Sequence, residues 1–304
     1  MKRLVCFVVL TFALIVGLLV FMPRRASAIT YGYVDSTNTF RETGAFLVKS
    51  TTTGEISPIC SGTMITANVF LTAGHCTSYF TDELAPDGYV AYVSLDQSIP
   101  FGELSSNSTQ LLAVSYVVTN PNYSQRQSDS GDIGVLILQH DVVGVTPATL
   151  PACGLLDQMA AKNGLKDAVF TAVGYGVQNR MVGGGTPFFQ DLNPVPRMFA
   201  FSTFNALNGG YLRLSQNPAK GDGGTCFGDS GGPNFVSAIG PNLLSTIGPT
   251  SLPPTAEHLV VAITITGDSV CRATNVDYRL DTPSAQGFLA YVNAAFGTSI
   301  PLTC

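Results

Sequence analysis

Ser230 lies in Thr225-Cys226-Phe227-Gly228-Asp229-Ser230-Gly231-Gly232-Pro233, a setting that suits a nucleophile. A serine hydroxyl attacks a carbonyl only when a nearby base takes its proton and donors await the oxyanion that forms. Gly228 permits a tight turn, which would let its N–H and that of Ser230 converge on one carbonyl oxygen. Gly, Asp and Ser also favour turns for separate reasons, so the segment alone fits a surface turn with no chemistry.

His75, in Leu71-Thr72-Ala73-Gly74-His75-Cys76, follows a β-type run and is the candidate base. The alternative is a buried histidine satisfied by backbone. Upstream stands Cys60-Ser61-Gly62-Thr63-Met64-Ile65, and a Cys60–Cys76 bridge would close a hairpin and fix the histidine's position. Asp132 opens Asp132-Ile133-Gly134-Val135-Leu136-Ile137-Leu138, which puts a carboxylate at the mouth of a mostly buried strand. Burying a charge is costly unless it is hydrogen-bonded, and an imidazole N–H is a suitable partner. That bond would hold the ring's tautomer and stabilise the imidazolium formed as it accepts the serine proton. Asp129, among Ser128, Ser130 and Gly131, reads as an ordinary loop acid.

These residues need a scaffold. With 304 residues, 45% hydrophobic and 12% charged, the chain can bury a sizeable core and is not disordered. Its 31 Gly and 18 Pro, with many β-branched and aromatic residues, favour a turn-rich β protein. Strands are expected at 45–49, 63–72, 89–94, 111–118 and 133–138, then at 169–173, 198–204, 211–214, 235–239 and 259–266. Short strands with loop-rich connections suit barrels or sandwiches, because a parallel sheet needs long helices between strands. Helices are expected at 155–162 and at 282–296, where Phe288, Leu289, Val292 and Phe296 share a face. Asn163-Gly164 and the segment 180–196 read as exposed loops, the second open to proteolytic nicking. Asn107-Ser108-Thr109 and Asn122-Tyr123-Ser124 are glycosylation acceptors in a host with that machinery.

The N-terminus carries Met1-Lys2-Arg3, an almost wholly apolar 4–22, and Ala26-Ser27-Ala28 in the small-x-small form of a signal-peptidase site. A membrane anchor is the competing reading, but the Ala-Ser-Ala and the lack of a second spanning segment favour cleavage, with 1–28 as signal peptide. Cleavage removes Lys2, Arg3, Arg24 and Arg25 and no acid, taking net charge from −5 to −9. So acidic a chain argues against nucleic acid or an anionic membrane as partner. Six cysteines remain: Cys60, Cys76, Cys153, Cys226, Cys271 and Cys304. In an exported chain that number points to three disulfides. No Cys-x-x-Cys occurs and His75, His140 and His258 are widely spaced, which argues against zinc.

Taken together, the motifs around His75, Asn-Pro-Asn-Tyr at 120–123, Asp-Ile-Gly-Val-Leu from Asp132, Val-Gly-Tyr-Gly at 173–176 and Gly-Asp-Ser-Gly-Gly-Pro around Ser230 resemble the chymotrypsin-like (trypsin-family) serine proteases. The order His, Asp, Ser is also that family's. The resemblance spans 29–296 and implies an all-β fold of two antiparallel six-stranded β-barrels with a C-terminal α-helix at about 282–296. The first barrel would occupy 29–157 with His75 and Asp132, the second 158–304 with Ser230. It further implies peptide-bond hydrolysis through an acyl-enzyme: His75 as general base, Asp132 as its orienting carboxylate, Ser230 as nucleophile, and the N–H groups of Gly228 and Ser230 as oxyanion donors. Cys226–Cys271 resembles the family's bridge beside the specificity pocket, leaving Cys153 for Cys304. The expected partners are protein or peptide substrates and protein inhibitors, for a secreted monomer without cofactor.

Some positions depart from the family. Ile29-Thr30-Tyr31-Gly32 loosely resembles the family's activating terminus and directly follows Ala-Ser-Ala. Signal cleavage would thus itself free Ile29 to pair with Asp229. Gly224 and Thr225 fall where trypsin-like members select basic side chains, and bring no charge. With Gly267, and with Asp277 on the opposite wall, they define an expected uncharged pocket that takes apolar residues; an inward Asp277 would favour basic ones. In Thr264-Ile265-Thr266-Gly267, Ile265 and Thr266 stand where the family has Ser and Trp, but main-chain pairing with substrate does not depend on them. Asp82, Glu83 and Asp87 could serve calcium, yet acids in an exposed loop are usually just solvated, and no metal is expected. A non-catalytic module on the same fold, or an esterase using the same residues, are the rival functions.

Overall fold

The β-type runs fold as antiparallel ladders in two groups. The protein is described here from a computed structural model that covers residues 29–100, 102, 109–125, 128–177, 180–181, 188–189, 193–238 and 258–304. The 1–28 leader, Asn107-Ser108 of the first acceptor triplet and most of the 180–196 loop lie outside these residues. Among the described residues no helix is long and apolar enough to cross a membrane.

The first barrel comprises β1 (Thr43–Ser50), β2 (Ile56–Met64), β3 (Val69–Thr72), β4 (Tyr89–Ser94), β5 (Leu112–Thr119) and β6 (Gly134–Leu138). They close in the order β1-β2-β3-β6-β5-β4. The second comprises β7 (Val169–Gly174), β8 (Met198–Leu207), β9 (Tyr211–Ser215), β10 (Pro233–Ala238), β11 (Val260–Gly267) and β12 (Thr274–Arg279). It repeats the same order, β7-β8-β9-β12-β11-β10, with β10 returning to β7.

Several strands are buried on both faces, which is why they read as unbroken apolar runs. On β1, Phe46 and Val48 join the first barrel's interior, while Ala45 and Leu47 pack outward beside Tyr175 and Val195 of the second half. Likewise Phe70, Leu136 and Leu138 point inward, whereas Val69, Leu71, Val135 and Ile137 enter a core between the barrels with Phe235, Val260 and Ile263. The C-terminal helix, Pro283–Phe296, adds Phe288, Leu289 and Val292 to that core. Thr282 caps it by accepting from Ala285 N–H, with Pro283 at the first turn and Gly297 in the left-handed region after it. Burying each such Leu or Phe contributes about 1.5–3 kcal/mol, so the helix seals the two barrels together.

Two strands differ from expectation. The 63–72 run is two strands folded on each other, with Thr63 opposite Leu71, and the first begins at Ile56. Pro58 and Gly62 disguise it; Pro58 is accommodated next to a bulge at Phe46/Leu47. β12 is hidden because Asn275, Asp277 and Arg279 are all buried there, a polar pattern foreign to a core strand.

Candidate active site

β3 and β6 run antiparallel with Thr72 opposite Gly134, so the residues just beyond those ends meet. His75 opens the short helix α1 (Gly74–Tyr79) after β3, and Asp132 stands two residues before β6. Asp132 Oδ1 accepts the backbone N–H of His75 at 2.8 Å, and Oδ2 lies 3.0 Å from ring Nδ1. The carboxylate is 5% exposed, and these bonds offset the cost of its burial. Facing a carboxylate, Nδ1 carries the proton, and Nε2 is left with the lone pair that a base requires.

Ser230 comes to the same place along the barrel seam. Its carbonyl accepts from Ser61 N–H at 2.8 Å, and Cys76 Sγ lies 3.8 Å from that oxygen. Gly231 has φ +79°, and a Cβ there would stand 2.1 Å from Thr72 Oγ1 and 2.6 Å from Ala73 N. Only glycine permits so close an approach to the chain leading into His75. The Cys60–Cys76 bridge joins β2 to α1 beside it. Ser61 was not singled out from sequence, although it adjoins Cys60. Its Oγ donates to Gly228 O at 2.9 Å and accepts from Tyr175 N–H at 3.0 Å. It thereby fixes one peptide of the loop that carries the expected oxyanion donors, where Gly228 has φ +93°.

Asp229 is fully buried. Its Oδ1 accepts from Gly176 N–H at 2.8 Å and its Oδ2 from Cys226 N–H at 2.9 Å. Burial pushes its carboxyl up to about 7, against the pull of those two donors. Ile29 is also buried, against Ala172, Met198 and Ala200. Asp229 crowds the position a Cβ of Gly174 would take, two residues from Ala172 along β7 and therefore on the same face. Next to Ile29, Thr30 bridges Gly224: Gly224 N–H donates to Thr30 O at 3.0 Å, while Thr30 Oγ1 donates to Cys271 O at 2.9 Å. The Cys226–Cys271 and Cys153–Cys304 disulfides complete three, the second holding the chain's last residue near α2 (Leu155–Ala161).

A cavity of ≈ 120 Å³ opens beside Ser230. Thr225, Phe227, Thr264, Thr266 and Gly267 are among its lining residues; Gly224 and Asp277 are not. Asp277 lies behind the wall, fully buried, with Oδ1 accepting from Asn234 Nδ2 at 2.8 Å and Thr264 Oγ1 at 3.2 Å. Burial raises its carboxyl well above the usual range despite those donors. Thr225 Oγ1 donates to Asn275 Oδ1 at 2.6 Å, so the same buried cluster holds two of the three threonines of the wall, Thr225 and Thr264. Asp268, which also lines the cavity, begins from a burial that would raise it, but N–H donors from Thr274, Ala273 and Arg272 draw it below its ordinary value.

Comparison with known proteins agrees with the two-barrel fold. The family model described as Trypsin matches residues 32–252. A solved structure of HL collagenase, at 1.7 Å resolution, superposes with a TM-score of 0.57 at 15% identity, covering 89% of this chain and 100% of that one. At such low identity the likeness concerns the fold. The chain matches no curated protein. With its two six-stranded barrels and a family match over most of its length, the chain belongs to the trypsin family and is a chymotrypsin-like serine endopeptidase.

Proposed function

We propose that the protein is secreted and cleaves polypeptides through an acyl-enzyme on Ser230. The observation that carries this reading is the buried Asp132 carboxylate gripping both the backbone and the ring of His75, at the seam to which Ser230 is tied. Ser230 Oγ attacks the scissile carbonyl carbon as His75 Nε2 takes its proton, and the N–H groups of Gly228 and Ser230 receive the oxyanion. Collapse expels the amine, which takes the proton from His75. Water then repeats the sequence on the ester and releases the acid. Donors fixed beforehand in this way cost no reorganisation when charge develops. Among the described residues lining the pocket beside Ser230 the one charged group is Asp268, whose carboxylate is already taken up by the N–H groups of Arg272, Ala273 and Thr274, which favours uncharged side chains. Asp132→Asn tests the assignment: kcat should fall by about 10⁴, with little change in folding, because the wrong tautomer is then held. A variant that stays within tenfold of wild type contradicts it.

The same reading takes Ile29 as the mature terminus, released by signal peptidase and paired through its ammonium with Asp229. A carboxyl that burial holds near 7 gains most from such a cation, and Ile29 and Asp229 approach one face of β7. Three disulfides suit an oxidising compartment. N-terminal sequencing of the secreted protein should start at Ile29; any other start counts against the pairing.

A further inference from the structure

The floor of the cavity beside Ser230 is not made by the residue that sequence position would nominate. Gly224 does not line it, and Gln216, from the turn after β9, fills the space a Gly224 side chain would take; Gln216 is itself fully buried and lies behind the lining residues Gly267 and Asp268. A Cβ on Gly224 would come within 2.1 Å of Gln216 Oε1 and 2.6 Å of its Cβ, so no space separates the two residues. On the other side, Gln216 Nε2 is 3.6 Å from the Cβ position of Gly267, which lines the cavity. The amide therefore fills the space between Gly224 and the wall residue Gly267, beneath the cavity. Its orientation is fixed chemically. Nε2 donates to Thr274 O at 3.1 Å and to Asp268 Oδ1 at 3.3 Å, both pure acceptors, which turns Oε1 toward Gly224. Gln216 is fully buried, and Oε1 has no hydrogen-bond partner among the described residues. A buried amide oxygen left unpaired costs stability. A side chain held there at a cost, directly beneath a pocket, points to a role in how deep the pocket runs.

We infer that Gln216 closes the specificity pocket from below, so that the enzyme cleaves after short, uncharged side chains of alanine, serine or threonine size. This rests on the endopeptidase reading above. Magnitudes favour it: an apolar cavity of about 150 Å³ holds one benzene ring, and the cavity here is ≈ 120 Å³. Among the described residues, nothing at the base of the cavity receives a cation. Gly224 has no side chain and Asp277 is behind Thr264, bound to it and to Asn234. Asp268 does line the cavity, but its carboxylate already accepts from the N–H groups of Arg272, Ala273 and Thr274 and from Gln216.

The test compares kcat/KM for one peptide series with Ala, Ser, Leu, Phe or Arg before the scissile bond, for the mature wild type, Gln216→Ala and Gln216→Met. Fluorophosphonate labelling reports an intact Ser230 in each. Wild type should favour Ala and Ser over Leu and Phe by about tenfold or more, the scale on which pockets discriminate methylenes. Gln216→Ala should shift that ratio toward Leu or Phe by about tenfold. Gln216→Met, which keeps the length and loses the hydrogen bonds, should keep the wild-type order. A wild type that prefers Phe, Leu or Arg overturns the inference even if Gln216→Ala fails to fold. So do equal shifts in the Ala and Met variants, which would assign Gln216 to support of the 268–274 loop. Wild type that neither labels nor cleaves overturns the endopeptidase reading itself, and the inference with it.

Discussion

The two barrels share one strand order but fill their interiors differently. In the first, Phe46, Val48, Met64, Phe70, Val93 and Leu136 leave an apolar interior. In the second, Leu212 and Leu214 face Asp277 and Asn275 directly across the β9–β12 ladder, so apolar and polar side chains share one interior face. Asn234 and Thr264 complete the polar half, and Thr264 with Thr225 carries it to the cavity wall. Division of labour accounts for the contrast. The first barrel need only hold His75 and Asp132 rigidly at a strand end, and close packing does that. The second must shape a cavity and hold its hydroxyls in fixed orientations, which takes hydrogen bonds at the expense of apolar burial.

Cavity formation should divide the barrels most sharply. Phe70 is fully buried in the first interior, and Phe70→Ala should cost about 3–5 kcal/mol of unfolding free energy in denaturant titration. A loss under about 1 kcal/mol, the level expected of a site free to collapse, would show that interior to be loosely packed. Thr264→Val probes the other barrel. It removes a hydroxyl that accepts from Asn234 and Asn275 and donates to Asp277, and should cost about 1–3 kcal/mol, because three buried polar groups lose a partner while shape is kept. Its activity should fall as well, whereas Phe70→Ala should act on stability first.

How much of this was visible in sequence follows the same division. His75, Asp132 and Ser230 stand in contiguous motifs, since each is positioned by neighbours in the chain: a strand end, a disulfide and a glycine turn. The barrels were legible from runs buried on both faces. The polar interior was not, because Asn275, Asp277 and Arg279 broke the apolar pattern by which a core strand is recognised. Gln216 had no signal at all. It comes to lie beneath the pocket from the turn after β9, and no local pattern around Asn217-Pro218 marks it. Asp277, expected on the pocket wall, supports that wall from behind.

Protonation gives a smaller, signed difference. Burial raises the Asp277 carboxyl well above its ordinary 3.8. The folded state then binds more protons than the unfolded state as pH climbs past that value, and stability falls with rising pH. Asp277→Asn keeps the neutral shape and removes this titration. Its stability relative to wild type should therefore rise from pH 4 upward, as read from Tm at successive pH values. A constant offset would mean that the carboxyl titrates alike in both states. Smallest should be Asp157→Ala. Asp157 is 67% exposed, and Arg279 keeps its buried partner Asp281, so the loss should stay under about 1 kcal/mol.

The central claim is that Ser230 is made nucleophilic by His75, itself held by Asp132. Labelling of the secreted protein with a fluorophosphonate, located by peptide mass, tests it most directly. The account predicts rapid modification at Ser230 alone, abolished in Ser230→Ala and in His75→Ala while both variants stay folded. Labelling at another serine, or undiminished labelling of His75→Ala, would contradict it.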